Sequence, residues 1–224
     1  MFLYEARGEY FAQVAGGLEN LAAAELRALG ASETRTFPRG IDFRCDREAL
    51  YRINFRSRLL SRVLAPLTRF DVSSGEDLYL KTKKIDWTQL LTLDQTFGVF
   101  ANVSRSVIDN SHFAALKVKD VVVDMFRKRY RGQRPNVDTR EPDLWINLHI
   151  RNNTATVSLD CSGGPLHRRG YRLQAVAAPM QETLAAAILD FAEWEGKQPL
   201  YDPMCGSGTL LSEAWLKAGG LPAG

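Results

Sequence analysis

The fold is decided by the stretch Leu200-Tyr201-Asp202-Pro203-Met204-Cys205-Gly206-Ser207-Gly208-Thr209-Leu210-Leu211-Ser212-Glu213-Ala214. An apolar pair precedes an acidic residue, and a turn with two glycines two positions apart follows. The apolar-periodic run after the turn is typical of a helix. The stretch therefore predicts a strand, a glycine turn and a helix.

The two glycines of this turn allow a ligand to approach backbone N–H groups and the positive end of a helix without meeting a Cβ. A Walker-type phosphate loop is excluded because no Gly-Lys-Ser/Thr follows. The dinucleotide fingerprint also fails, because its third glycine would fall on Leu211. Asp202 ahead of the glycines suits a ligand with a cationic amine and no phosphate, and S-adenosylmethionine (SAM) fits that description. A turn that is only a tight connection remains the alternative from this pattern alone.

The longer string Asp202–Thr209 resembles motif I of the SAM-dependent methyltransferases that act on exocyclic base nitrogens of nucleic acids. Upstream, Ala178–Leu189 resembles the helix that precedes the first strand in that branch. Cys205 is interpreted as a small side chain that lets the cofactor pass rather than as a nucleophile. The resemblance implies a set of cofactor-binding residues: Asp202, Pro203, Cys205, Gly206, Ser207, Gly208, Thr209, Glu182 and Thr183.

Length and composition are ordinary for a globular protein. With 224 residues, 45% of them hydrophobic and 25% charged, the chain has room for two small domains. Met1–Glu9 lacks an apolar signal segment, and no apolar run approaches the roughly 20 residues that span a bilayer. We therefore predict a cytoplasmic protein without membrane contact.

The three cysteines have no C-x-x-C spacing and the three histidines are scattered, so no metal site is predicted.

The net charge of +3 conceals a basic middle region. Between Ala101 and Arg172 there are 13 Lys/Arg and 7 Asp/Glu, and five cations fall within Arg127–Arg134. Cations at the end of a helix suit its dipole, so a solvated helix end is one interpretation. Binding of an anionic polymer is the other.

The N-terminal part of the sequence predicts strand, helix, two strands, helix and strand, which is the order of a ferredoxin-like fold. The predicted strands are 10–15, 33–37, 41–44 and 62–70. The first helix is predicted at 18–29, and the second is capped by Asp46. The middle part predicts a helix capped by the stretch Ser73–Asp77 and a second, short helix, then a strand, a long amphipathic helix and a hairpin. The predicted helices are 73–84, 86–91 and 112–130. The predicted strand is 97–104, and the hairpin consists of 145–150 and 155–160.

The middle part also resembles the THUMP domain, an RNA-binding module, through Asp109–His112, Lys117–Asp120 and Arg134–Asp138. The resemblance implies docking of structured RNA, and phosphate contacts should dominate. The candidate cations are Arg105, Lys117, Lys119, Arg127, Lys128, Arg131, Arg134, Arg168 and Arg169. Arg168 and Arg169 could instead pair with acidic residues of the following region.

Across its whole length, the chain is similar to the N-terminal part of the bacterial 23S ribosomal RNA guanine-N2 methyltransferases, which in some bacteria are fused to a guanine-N7 methyltransferase. The expected class is α+β. A ferredoxin-like region (1–72) and a THUMP domain (73–172) precede the start, as helix, first strand and next helix, of a Rossmann-like SAM methyltransferase domain (173–224).

The sequence contains no Asn/Asp-Pro-Pro-aromatic motif, which in this branch orients the target amine, and only 22 residues follow Asp202. The 224 residues alone are therefore expected to bind structured RNA weakly, to bind SAM weakly or not at all, and to transfer no methyl group. Two alternatives remain: a stand-alone RNA-binding or assembly module, and an N6-adenine DNA methyltransferase. The sequence leaves the oligomeric state open.

Overall fold

A computed structural model describes residues 1–172 and 178–223. The helices are α1 (Leu3–Arg7), α2 (Glu19–Ala28), α3 (Arg47–Arg56), α4 (Gly75–Thr82), α5 (Ser111–Arg129), α6 (Glu182–Phe191) and α7 (Thr209–Ala218), with a 3₁₀ turn at Trp87–Gln89. The strands are β1 (Glu9–Val14), β2 (Ser32–Phe37), β3 (Gly40–Arg44), β4 (Leu60–Asp71), β5 (Thr96–Ser104), β6 (Asn136–Val137), β7 (Leu144–Arg151) and β8 (Thr154–Asp160).

The chain forms two compact units. The first unit comprises Met1–Arg7 and Leu64–Gly164, and the second comprises Gly8–Val63 and Pro165–Gly224. Strand β4 begins in the second unit and continues in the first. The content of helices and strands confirms the predicted α+β class.

In the first unit the strand order is β4-β8-β7-β5-β6. Strand β8 pairs antiparallel with β4 and β7, whereas β5 pairs parallel with β7 and β6. Helix α5 closes the core with Val118, Val122 and Phe126, which are fully buried together with Trp87 and Phe97. The apolar spacing of this helix along the sequence thus produces the buried face that was predicted for it.

Local signals set the ends of these elements. The Asn110 side chain accepts a hydrogen bond from the Phe113 backbone N–H at 2.9 Å and so caps the start of α5. Asn152 and Asn153 both adopt positive φ, 50° and 61°, between the paired residues Arg151 and Thr154. This is the two-residue turn that matches the twist of a β-hairpin, and it confirms the predicted hairpin.

In the second unit the strand order is β2-β3-β1-β4, and β3 pairs antiparallel with both β1 and β2. Alternate residues of β1 are buried, as expected of a strand with one face on a core. The Asp46 carboxylate accepts from the Ala49 N–H at 2.7 Å and caps α3. The order of elements from β1 to β4 confirms the predicted ferredoxin-like region.

Three features differ from the sequence prediction. Helix α1 and the short strand β6 were not predicted. The strand expected at Leu200–Tyr201 is not formed, and the Tyr201 side chain is 90% exposed. A strand exists only through pairing with a neighbour, and no described strand pairs with this segment.

Candidate cofactor turn and nucleic-acid surface

The glycine turn leads directly into α7. Gly206 and Gly208 have φ of 54° and 73°, a backbone conformation that glycine adopts without strain. The Gly208 N–H donates to the Cys205 carbonyl at 2.7 Å, and the Ser212 N–H donates to the Gly208 carbonyl at 2.8 Å, which begins the helix. Asp202, ahead of the turn, accepts from the Met204 N–H at 3.2 Å. The expected turn and helix are therefore present.

The glycine turn is open on the side where side chains would project. A Cβ placed at Gly208 would meet no described atom within 4 Å, and one at Gly206 would first meet the Met204 carbonyl oxygen at 4.0 Å. The N-terminus of the ten-residue helix α7 lies directly behind this turn. An acidic side chain, exposed backbone and a helix N-terminus are together compatible with a small polar ligand such as SAM.

The predicted cofactor-binding residues differ in exposure. Pro203, Cys205 and Gly206 are exposed, whereas Asp202, Ser207 and Gly208 are half-buried, and Thr209, Glu182 and Thr183 are buried. Glu182 and Thr209 are brought together by one arginine that the prediction did not include. The Arg172 Nη2 lies 3.2 Å from the Glu182 Oε1 and donates to the Thr209 Oγ1 at 3.1 Å.

A buried carboxylate lies one helical turn further along α7. The Glu213 side chain has no exposed surface; it pairs with the Arg169 Nε at 2.8 Å and with the Arg58 Nη1 at 3.6 Å, and it accepts from the Tyr171 hydroxyl at 3.0 Å. Burial raises the pKa of Glu213, although the two guanidinium groups act in the opposite direction. Burial and the neighbouring Glu213 carboxylate raise the pKa of Tyr171.

The same cluster corrects one prediction about RNA. Arg169 was a candidate for phosphate contact, but its side chain is only 2% exposed and it also donates to the Arg58 backbone carbonyl at 2.7 Å. A guanidinium enclosed by protein acceptors cannot reach a phosphate, so Arg169 is removed from the RNA-binding set. Its neighbour Arg168 is exposed.

The predicted basic surface lies at the C-terminal end of α5. This basic helix end consists of four exposed side chains: Arg127, Lys128, Arg131 and Arg134. Arg131 has φ of 51° just beyond the helix, and the Gly132 N–H donates to the Arg127 carbonyl at 2.9 Å. This hydrogen bond closes the last turn by a Schellman-type contact and holds the arginines around one helix end.

The other predicted cations are more dispersed. Lys119 shares a cavity of about 430 Å³ with Arg127 and Arg134, but it also pairs with Asp120 at 2.6 Å. The Lys117 ammonium lies 5.4 Å from the centre of the Phe113 ring. Arg105 follows β5 and precedes α5, whose 19 residues extend for roughly 28 Å. The structure therefore does not bring Arg105 into the basic helix end.

No group of three or more His, Cys, Asp and Glu side chains among the described residues is arranged to hold a metal ion. No helix within 1–172 and 178–223 has both the length and the apolar character needed to cross a bilayer.

Comparisons with known proteins match most of the chain. The profile of the RlmL ferredoxin-like domain matches residues 9–64, that of the THUMP domain matches 72–160, and that of the RMKL-like methyltransferase domain matches 169–222. The ribosomal RNA large subunit methyltransferase K/L of Syntrophotalea carbinolica is 48% identical over 212 residues, which cover 93% of this chain and 30% of that protein. This chain is therefore similar, segment by segment, to THUMP-containing methyltransferases.

A second relative, from Synechocystis sp., is provisionally named an RNA methyltransferase. It is 47% identical over 209 residues, which cover 93% of this chain and 54% of that protein. The chain thus spans about half or less of the length of these two curated relatives.

Solved structures of similar fold also contain further residues. One from Listeria monocytogenes, described as a predicted N6-adenine-specific DNA methylase, has a TM-score of 0.83 at 30% identity. The matched region covers 96% of this chain and 56% of the Listeria chain. Another is provisionally described as a methyltransferase and is complexed with SAH. It has a TM-score of 0.82 at 27% identity, and the matched region covers 96% of this chain and 57% of that protein's chain.

The buried contacts of α7 were not predicted from the sequence. Arg58, Arg172 and Glu213 were not among the predicted site residues, although Glu213 belongs to α7 and both arginines contact that helix. The available signal was Glu213 itself, the single acidic residue of α7. A buried position for such a residue usually requires a partner charge.

Proposed function

We propose that these 224 residues are the RNA-holding part and the cofactor turn of a SAM-dependent RNA methyltransferase. The proposed substrate is a guanine in large-subunit ribosomal RNA, methylated at its exocyclic N2. The proposal is supported by the THUMP-family match and by the ribosomal RNA methyltransferase relative. Residues 1–72, 73–172 and 173–224 are the proposed functional divisions, and the cytoplasm is the proposed location.

The observation that carries the RNA-binding part is the basic helix end. Its four cations project from the last turn of α5 and the loop after it. A helix C-terminus carries only about half a negative charge, so four cations exceed what the dipole requires. Exposed cations at this density attract a phosphate backbone through release of its counterions.

The cofactor part rests on the glycine turn. Asp202 would face the cationic end of SAM, and the open backbone at Gly206 and Gly208 would lie against the bound molecule. When bound, the cofactor supplies a methyl group activated on a sulfonium. The protein then has to align that methyl with the target amine and exclude water, rather than provide a covalent nucleophile.

RNA binding is tested by fluorescence anisotropy with a labelled ribosomal RNA hairpin at several salt concentrations. Arg131→Glu with Arg134→Glu is expected to weaken binding at least tenfold at low salt and to reduce the slope of log K against log salt by about 1.5. The matched control is Arg27→Glu with Arg56→Glu, two exposed arginines of the ferredoxin-like region. An equal loss in both double variants would show that net charge, and not the basic helix end, governs binding.

Catalysis is tested separately. Isothermal titration with the 224 residues alone is expected to show weak SAM binding or none, and labelled SAM should transfer no methyl group to RNA. Tight SAM binding would contradict this expectation. A longer version carrying a complete methyltransferase domain, assayed on unmodified ribosomal RNA, should place the label on guanine N2.

One second function has a specific observation in its favour. The similar structure from Listeria monocytogenes is described as a predicted DNA methylase. Competition between a ribosomal RNA hairpin and duplex DNA separates the two, because we expect the THUMP region to prefer RNA. A preference for DNA would support adenine methylation. RNA binding by a longer protein that never transfers a methyl group would support a stand-alone RNA-binding or assembly module.

A further inference from the structure

The guanidinium of Arg172 connects the two helices that border the glycine turn. Its Nη2 donates to the Met180 carbonyl at 2.9 Å and to the Thr209 Oγ1 at 3.1 Å, and it lies 3.2 Å from the Glu182 Oε1. Thr209 is the first residue of α7, and Glu182 is the first residue of α6. One nitrogen therefore joins the N-terminal ends of both helices.

The contact continues from Thr209 into the turn itself. The Thr209 Oγ1 lies 3.1 Å from the Ser207 Oγ. An arginine can only donate hydrogen bonds, so the Thr209 oxygen accepts from Arg172, and either hydroxyl can donate in the bond between Thr209 and Ser207. Arg172 is thus connected through Thr209 to Ser207, which lies between the two glycines.

The turn has few other side chains to hold it. The residue that precedes α7 is Gly208, which supplies no capping side chain, and Gln181 makes no side-chain cap at α6. Glycine loses more conformational freedom on ordering than any other residue, so a two-glycine turn needs outside support to keep one shape. Thr209 is only 3% exposed, so the support it receives from Arg172 lies largely out of contact with water.

The residues just before Arg172 contact the same helix. Arg169 and Tyr171 both bind Glu213, one turn along α7 from Thr209. The segment from Arg169 to Arg172 therefore contacts α7 at two points. One is the buried ion pair with Glu213, and the other is the hydrogen bond to Thr209 at the start of the helix. Because this segment follows the THUMP match, it joins the proposed RNA-holding part to the cofactor turn along the chain.

We infer that Arg172 is a positioning residue that fixes the glycine turn in the shape that binds SAM. This inference rests on the proposed function, since it assumes that SAM occupies the turn. It assigns Arg172 no contact with the reacting atoms. It predicts that the order of the turn and the affinity for the cofactor change together when the Arg172–Thr209 contact is altered.

The first test measures amide hydrogen exchange of residues 203–212 in the 224-residue chain. Arg172→Gln and Thr209→Val are each expected to speed exchange there at least tenfold while leaving β1 and β3 unchanged. Thr209→Ser keeps the hydroxyl and should restore the native rate. The matched control is Arg56→Gln, which removes an exposed arginine outside this segment and should leave the exchange of residues 203–212 unchanged.

The second test measures SAM affinity in a version with a complete methyltransferase domain. Arg172→Gln and Thr209→Val should raise the Kd for SAM about tenfold, and Thr209→Ser should leave it near native. Unchanged exchange in both variants would overturn the inference, as would faster exchange with an unchanged Kd. Absence of SAM binding by the unsubstituted protein would instead refute the proposed function, and the exchange experiment would still test the positioning of the turn.

Discussion

Replacing Glu213 with Gln should destabilise the second unit strongly. The substitution keeps the volume of the side chain but removes the negative charge that faces Arg169 and Arg58, whose side chains are 2% and 15% exposed. Breaking a buried ion pair at one partner costs about 3–5 kcal/mol because the other charge stays buried. The amide oxygen of Gln can still accept one hydrogen bond, so we expect the lower end, about 3 kcal/mol.

This loss is measured by urea unfolding followed by circular dichroism. With a denaturant slope of about 2 kcal/mol/M, a loss of about 3 kcal/mol lowers the midpoint by roughly 1.5 M. Amide exchange should place the loss in residues 8–63 and 178–223 rather than in the first unit. The control is Glu48→Gln, which breaks an exposed pair with Arg52 and should cost less than about 0.5 kcal/mol.

A Glu213→Gln midpoint within the range of the Glu48→Gln control would refute the ion-pair reasoning. It would mean that burial raises the pKa of Glu213 far enough to keep the carboxyl neutral in the folded protein. A second pair of variants checks the same point. Glu213→Leu combined with Arg169→Met should be more stable than Glu213→Leu alone, because the double variant no longer buries the guanidinium of Arg169 without its counter-charge.

Two further predictions concern the first unit. The Asp143 carboxylate accepts hydrogen bonds from the Thr96 N–H at 2.7 Å and from the Thr96 hydroxyl at 2.8 Å, and these bonds lower the pKa of Asp143 in the folded protein. The ionised carboxylate therefore stabilises the folded state above the unfolded pKa of about 3.9. This contribution is lost as the pH falls through the lower folded pKa. Asp143→Asn should therefore lower the urea midpoint at pH 7 but much less at pH 3, and an equal difference at both pH values would contradict this cause. At Gly98, an added Cβ would lie 2.6 Å from the Trp145 ring and 2.7 Å from the Asp138 carbonyl oxygen, so Gly98→Ala should cost about 1–3 kcal/mol. A thermal scan should show a Tm lower by several degrees, and an unchanged Tm would mean that the strand shifts without cost.

Elements specified by local chemistry were predictable from the sequence. The long helix was expected at 112–130 and is found at Ser111–Arg129, because Asn110 caps its start and its apolar residues repeat with the helical period. The Asn152-Asn153 pair predicted the hairpin because asparagine tolerates the positive φ that a two-residue turn requires. In each case the deciding residues lie within a few positions of the element.

Elements that depend on distant partners were not predictable. Strand β6 has only two residues and exists because Asn136 and Val137 pair with Thr96 and Phe97, some 40 residues earlier in the chain. The apolar pair Leu200–Tyr201 has the opposite outcome, since its composition suits a strand but no described strand pairs with it. Strand propensity measures the fit to a sheet that must already be present.

The same distinction explains why the predicted RNA-binding set was partly wrong. Arg168 and Arg169 are adjacent and chemically identical, and a count of charges treats them alike. The fold exposes Arg168 and buries Arg169 against Glu213, which lies 44 positions later. A buried cation requires a buried anion, and Glu213 was visible in the sequence as the single acidic residue of an apolar helix. In the structure two upstream cations, Arg58 and Arg169, face Glu213, and only coordinates identify them. The number of cations in a segment is therefore only an upper limit on the number available to RNA.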